Sequence, residues 1–504
     1  MKLMSVLKLF AIGASVAWVA GFWIATWTSY LDDAFIGFAH IQNYLEGFGF
    51  AFNANDIVEG ATNTGWLLML TPLSVYLPIP VVAKILNLIF VISTACIVYS
   101  IGLRHSRFAG SAAALLTITS FDFLYFSSSG METAFISLIL GGAILSVCRG
   151  HHILSIMLFA LSYAVRPEAI LIGPLWVSAS VATRTFRIRK AALLGLLWCA
   201  IICIIQLSRY SYYGEWLPNT FAAKPTSSYL FLIRLAGLPA IVTTLKNISP
   251  PFSSFVAICL VIIGFLTKWK RPSTDQSLYL ALSAVVVTSL LFCVYARQDW
   301  TGFGRYFAPY VPYGFILLVI GLDYACRTVV NVNYSRAIKL AAVSGLCFAG
   351  VFDALFWLRP IVQEKYPWYV ANSKRLIPAA QWISDNLDHD SVIATRRIGA
   401  LGFYGRRYVF DYKFGLIHKD VAQLITRHGR TFDSPDDEVL ASVWHERMPT
   451  HIIEDLPILK RLTWDETETY FYVHGIAYKP IKHFAINENL DWVLSERVII
   501  QNPQ

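Results

Sequence analysis

The chain of 504 residues is 56% hydrophobic and only 14% charged, with a mean hydropathy of +0.54, and soluble domains of that length do not carry such an apolar surplus. A β-barrel, with its short alternating strands, and a disordered chain are excluded on the same grounds. The formal charge of +9 divides into +10 on residues 1–357 and −1 on residues 358–504, so the excess reads as a membrane topology signal and no nucleic-acid partner is expected.

The division at 357 organises the whole reading. Residues 1–357 hold the long apolar stretches and all eight cysteines, which read as small buried hydrophobes; residues 358–504 carry about half of the charges and no cysteine. The expected fold is therefore a polytopic α-helical membrane domain over 1–357, with a first outer loop at 30–63, followed by a soluble α/β domain over 358–504.

The first apolar segment, 7–29, has Lys2 and Lys8 at its start and is too long for a signal peptide, so it reads as a retained helix with a cytoplasmic N-terminus. The short apolar piece 64–77 has no basic anchor and is expected to lie along the outer interface without crossing. Later basic loops around Arg104 and Arg107, Arg149, Arg184 to Lys190, Lys268 to Arg271 and Arg327 to Lys339 then all face inward. That register predicts about eleven spans: 7–29, 81–103, 108–126, 133–148, 152–166, 168–183, 191–210, 251–268, 276–296, 306–326 and 337–357. An odd count places the C-terminal domain outside.

On this map the ionisable residues Asp32, Asp33, Glu46, Asp56, Glu59, Glu132, Arg166, Glu168, Glu215, Lys224, Arg297, Asp299 and Arg305 gather on the outer side. Charges beside apolar helices need water, partners or work to do, and the gathering predicts a polar outer cavity. A solute or lipid transporter, the rival reading, would place such groups nearer the bilayer midplane.

In the loop after the first helix, Phe35, Phe38, Ile41, Tyr44 and Leu45 recur at near-helical spacing, predicting a helix lying in the interface that begins at Asp32-Asp33. One account makes Asp32 the cap of that helix; the other makes Asp32 or Asp33 a general base. Glu132 in Ser-Gly-Met-Glu-Thr-Ala could cap the following helix, and Arg166-Pro167-Glu168 could form an internal ion pair at a helix end.

Taken in order, Asp-Asp-Ala-Phe-Ile, Glu-Gly-Phe-Gly, Val-Glu-Gly-Ala-Thr-Asn ending at Asn63, Ser-Gly-Met-Glu-Thr-Ala, Arg-Pro-Glu, Tyr-Tyr-Gly-Glu-Trp-Leu-Pro-Asn-Thr with Asn219, and Ile398-Gly-Ala-Leu-Gly-Phe-Tyr404 resemble the GT-C membrane glycosyltransferases. Within these the likeness is to the branch of the mycobacterial terminal β-arabinofuranosyltransferases and related arabinosyl and mannosyl transferases. The resemblance implies a polyprenyl-phosphate sugar as donor, inversion at the anomeric carbon and catalytic aspartates at Asp32 and Asp33. The stretch often Gly-Gly-Asp-Trp-Met in relatives is Arg297-Gln-Asp299-Trp-Thr here, which leaves nearby substrate contacts open.

Such a transfer needs a base for the acceptor hydroxyl, for which Asp33 or Asp32 serves, and cations for the departing phosphate, for which Arg166, Lys224, Arg297 and Arg305 are the candidates. Substrate contacts are expected from Glu59, Asn63, Glu132, Glu168, Asn219, Asp299 and Tyr306. No nucleotide-binding loop is present and no cofactor is called for; a divalent ion among Asp32, Asp33, Glu59 and Glu132 is the alternative. The expected partners are the lipid donor, surrounding membrane lipid, and an envelope glycan, lipopolysaccharide or protein acceptor.

In the C-terminal domain, 374–387 reads as an amphipathic helix, 391–395, 408–411, 451–454, 470–474 and 492–495 as strands, and 399–404 as a short turn or helix. The domain reads as a lid that binds acceptor or covers the cavity.

Overall fold

A computed structural model describes residues 2–222, 261–264, 266, 275–296, 304–329, 332–362, 371–429, 431–432, 434–461, 470–487 and 490–499. The chain divides into two compact units. Unit 1 comprises Met1–Ser29, Pro80–Leu207 and Tyr229–Tyr369, and unit 2 comprises Tyr30–Ile79, Ser208–Ser228 and Val370–Gln504. Two segments from within the first 357 residues therefore cluster with the C-terminal segment.

Unit 1 is helical: α1 (Lys2–Ala25), α4 (Ile79–Gly102), α5 (Arg107–Thr119), α6 (Phe121–Ser128), α7 (Thr133–Cys148), α8 (His152–Leu161), α9 (Ile172–Ala182), most of α10 (Ile188–Tyr213), α12 (Gln276–Ala296), α13 (Val311–Val329) and α14 (Val332–Val362). Among the described residues five helices are long and apolar enough to cross a membrane, or six if the bent pair α5 and α6 counts as one span. The expected eleven or so spans, some short enough to be kinked or broken, are not matched by that number of long straight helices among the described residues. Helices α7, α8 and α9 have 16, 10 and 11 residues, short of the roughly 20 that cross a bilayer in one straight helix.

Local chemistry explains the interruptions. Ser120 leaves helical geometry and its hydroxyl accepts from Phe123 N, so the expected span 108–126 stops and restarts with a 54° bend. Pro167 supplies no N–H, and the run from 152 to 183 is split there by short 3₁₀ turns. Most of the expected span 251–268 lies outside the described residues.

Helices pack closely where side chains are small. A Cβ on Gly102 of α4 would lie 2.6 Å from the Cα of Gly110 in α5, so this crossing requires glycine. The opposite situation holds on α10 and α14, where Leu196, Ile204, Phe348, Phe352 and Leu355 are exposed. Such exposed apolar faces suit a membrane protein.

Unit 2 carries a six-stranded sheet in the order β2-β1-β3-β6-β5-β4, from β1 (Val392–Thr395), β2 (Tyr408–Asp411), β3 (His451–Asp455), β4 (Phe471–Val473), β5 (Ile476–Asn487) and β6 (Leu490–Val498). β1 pairs in parallel with β2 and β3, and the remaining pairings are antiparallel. Each strand expected from the sequence is present, and β5 is additional. Its Pro480 and lysines disguise it, and its ladder with β6 shifts register between Pro480 and Lys482. Around the sheet lie α15 (Ala371–Asn386), α16 (Gly399–Gly405), α17 (Lys419–His428), α18 (Ala441–Arg447) and α19 (Leu456–Arg461). The core holds Phe410, Tyr412, Trp444, Ile452 and Val493.

The N-terminal part of unit 2 consists of α2 (Asp32–Leu45) and α3 (Thr64–Ser74); the 208–228 segment adds α11 (Asn219–Ala222). The Asn53 amide donates to Val409 O and its oxygen accepts from Val409 N, both at 3.0 Å, so one side chain takes the place of a neighbouring strand on edge strand β2. The apolar stripe of α2 is protein-covered: Phe35 stacks within 5.6 Å of the Phe403 and Tyr404 rings, and Phe38 packs on Phe403. Of that stripe Phe35, Phe38 and Ile41 are fully buried, whereas Tyr44 and Leu45 are exposed.

Candidate active site

In unit 2 the two aspartates part company at the start of α2. Asp32 is buried and makes no capping bond to its own helix. Its carboxylate accepts instead from Gly399 N at 3.0 Å and Ala400 N at 2.8 Å, the first N–H groups of α16. Short as it is, α16 presents the unsatisfied donors every helix start leaves, and a carboxylate answers them. A Cβ at position 399 would sit 2.0 Å from Asp32 O, so only glycine permits the approach. Burial raises the carboxyl pKa of Asp32, and the Ala400 N–H, the nearby Arg397 guanidinium and the Gly399 N–H pull it back down. Asp33, one residue on, is half-buried.

Glu59 lies 3% exposed in the loop ahead of α3, clamped by Arg209: Nε donates to Oε1 at 2.8 Å and Nη2 to Oε2 at 2.6 Å. This two-pronged match of planar guanidinium to carboxylate is the strong form of ion pair. Asn219 joins the same region by donating its N–H to Glu59 O at 3.1 Å and its amide to the Gly415 and Leu416 carbonyls. Asn63 starts α3, its carbonyl accepting from Trp66 N and Leu67 N.

In unit 1, Glu132, Arg166 and Glu168 form a buried triad. Arg166 Nη1 donates to Glu132 Oε1 at 3.1 Å and its Nε to Glu168 Oε1, which also accepts from Tyr310 OH at 3.2 Å. Glu132 makes no capping bond at α7, which corrects that reading, while the internal Arg166 to Glu168 pair is present. Two carboxylates thus engage Arg166, the cation expected to hold phosphate. Arg305 and Tyr306 are half-buried on the turn before α13, with the Tyr306 ring edge-on to Phe292 at 4.9 Å. Lys224, Arg297 and Asp299 lie outside the described residues.

Sequence reading missed three charged groups. Arg209 was hidden at the end of an apolar run, and Arg397 has no sequence signal, since its place beside Asp32 comes from the fold. Asp122 is buried in the first turn of α6, inside what reads as one continuous span. Among the described residues no group of three or more His, Cys, Asp or Glu side chains gathers as a metal site.

The family model described as Domain of unknown function (DUF8728) matches residues 366–497. No curated protein matches the chain by sequence. Solved structures do match. ArnT from Cupriavidus metallidurans in the apo state superposes with a TM-score of 0.62 at 11% identity, covering 98% of both chains. The same protein bound to undecaprenyl phosphate gives 0.60 at 11% identity, over 96% of this chain and 97% of that one. The oligosaccharyltransferase of Archaeoglobus fulgidus gives 0.56 at 10% identity, over 88% of this chain and 69% of that one. The chain has the GT-C fold. Both neighbours are GT-C glycosyltransferases, and at these identities the likeness is one of fold.

Proposed function

We propose that the chain is an inverting GT-C glycosyltransferase that moves a sugar, arabinofuranose in our reading, from a polyprenyl-phosphate donor to an envelope glycan, lipopolysaccharide or protein on the outer face of the bacterial inner membrane. The observation that carries the proposal is the end-to-end likeness to ArnT, a protein whose structure has been solved bound to undecaprenyl phosphate. A lipid-linked donor also accounts for apolar helices joined to a polar unit rich in carboxylates and arginines.

Asp33 is the base in this reading. Asp32 spends both carboxylate oxygens on α16, so it shapes the loop, while its half-buried neighbour takes the proton from the acceptor hydroxyl. The acceptor oxygen bonds to the anomeric carbon as the bond from that carbon to the phosphate oxygen breaks. Attack from the face opposite the phosphate inverts the configuration, and polyprenyl phosphate departs. Arg305, with Lys224 and Arg297, neutralises the phosphate; Arg166, held by Glu132 and Glu168, supports the site electrostatically. Asp299, Tyr306, Asn63 and Asn219 line the substrates, Glu59 through its pair with Arg209. The N-terminus is cytoplasmic and the C-terminal domain extracytoplasmic.

The test is transfer by the purified protein in lipid nanodiscs from labelled polyprenyl-phosphoarabinose, with polyprenyl-phosphomannose as the competing donor. Asp33→Asn is expected to lower turnover about 10²- to 10⁴-fold while leaving the fold intact. Unchanged transfer in both Asp33→Asn and Asp32→Asn overturns the mechanism, and preference for the mannosyl donor overturns the sugar assignment.

A further inference from the structure

Lys84 lies in α4, an apolar helix long enough to span a membrane, and is fully buried. A buried ammonium in such a helix is costly unless its protons are answered. Here the answers are main-chain carbonyls: Nζ donates to Thr26 O at 2.7 Å, to Ser29 O at 2.8 Å and to Ser128 O. Thr26 and Ser29 follow the end of α1 and Ser128 is the last residue of α6, so the cation sits where two helices end. Those ends carry the negative pole of the helix dipole and carbonyls short of intrahelical partners. Two further bonds reinforce the arrangement. Trp23 Nε1 donates to Lys84 O at 3.2 Å, and Asn87, one turn on, donates to Met131 O at 2.9 Å.

The tethered segments are the ones that lead to carboxylates. Ser29 is the last residue of unit 1 before the chain runs on through Tyr30 and Leu31 to Asp32 and Asp33. Ser128 and Met131 bracket a turn with Gly130 at φ +87°, and the next residue is Glu132, the partner of Arg166.

We propose that Lys84, seconded by Asn87, is a positioning residue that fixes both the point where the chain leaves unit 1 toward Asp33 and the turn that delivers Glu132. It touches no reacting atom and acts through main-chain geometry. The inference rests on the glycosyltransferase reading for its consequence, though not for its geometry.

Hydrogen exchange followed by mass spectrometry, on the full chain in nanodiscs, tests the geometry without any substrate. Lys84→Met is expected to speed exchange at least tenfold in residues 27–33 and 129–132 while leaving the sheet of unit 2 unchanged. Asn87→Ala is expected to loosen 129–132 alone, and Lys84→Arg to restore part of the protection. In transfer from labelled polyprenyl-phosphoarabinose, Lys84→Met should lower kcat about 100-fold, the scale of a small misplacement, with KM within about twofold. Unchanged exchange at 27–33 in Lys84→Met overturns the inference, as does faster exchange with kcat unaltered. If Lys84→Met does not fold, unchanged exchange at 129–132 in Asn87→Ala overturns it equally. Faster exchange in a protein whose wild type transfers no sugar sinks the proposed function and leaves the anchor standing.

Discussion

In unit 1 the buried Arg166 and Asp323 are met by other charged side chains, whereas in unit 2 the buried Asp32 and Asp411 are met by backbone N–H groups. Asp323 pairs with Lys339 at 2.9 Å, His105 at 3.1 Å and Arg327 at 2.7 Å. Asp411 accepts from Phe414 N at 3.0 Å and Leu416 N at 2.7 Å, as Asp32 does from α16. The difference follows from the backbone. Long apolar helices use their N–H groups internally, so a charge among them must find another side chain or the carbonyls at a helix end. Short helices and loops leave N–H groups for a carboxylate to answer, a stitch within its own turn at Asp411 and across 367 residues at Asp32.

Substitutions that remove one partner at a time sharpen that contrast. The largest effect is expected from Asp33→Asn, which should lower kcat about 10²- to 10⁴-fold with little change in melting, the range of a lost general base. In unit 1, Arg166→Gln would leave Glu132 and Glu168 facing each other without their cation, and thermal unfolding in detergent should report a loss of about 3–5 kcal/mol. A variant as stable as wild type would mean that the triad is not a buried electrostatic unit.

Stitches in unit 2 should cost less apiece. Gly399→Ala forces a methyl against the Asp32 backbone, and denaturant unfolding should show a loss of about 1–3 kcal/mol, with exchange quickening at Asp32 and Ala400. Asn53→Ala removes both bonds to Val409 and is expected to cost about 1–2 kcal/mol and expose the β2 edge.

The last effect is one of pH. His418 is fully buried and its ring Nε2 lies 3.2 Å from Tyr408 OH. Burial, with Arg447 adding to it, lowers its pKa to about 3. Between the unfolded value near 6.5 and about 3 the unfolded chain therefore binds a proton that the folded one does not, and the His418 contribution to stability falls as the pH is lowered. His418→Gln should flatten that slope. Asp411 works in the opposite sense: burial raises its pKa to about 6, so its contribution falls as the pH rises toward 6. Comparing each variant with wild type separates the two, and parallel stability curves for His418→Gln and wild type would count against a neutral buried imidazole.

Much of this was legible in the residues themselves. The apolar runs, the charge boundary near 357 and the alternating segments around 391–395, 408–411 and 451–454 mark helices and strands because hydrophobic periodicity and turn chemistry act over a few residues. The ordered motifs were enough to point to the GT-C fold. Span integrity was less legible at 120, where a single serine turns the expected span 108–126 into two helices, whereas Pro167 already marked a boundary.

By itself the sequence determined that apolar helices are joined to a domain of strands and helices and that paired acids follow the first helix, because those properties are local. Only the tertiary structure decided that residues 30–79 belong with the sheet, that Asp32 is spent on Gly399 and Ala400, and that Arg209 answers Glu59. Those choices depend on which distant backbone donors and side chains come within 3 Å of a carboxylate, a matter that no spacing along the chain encodes.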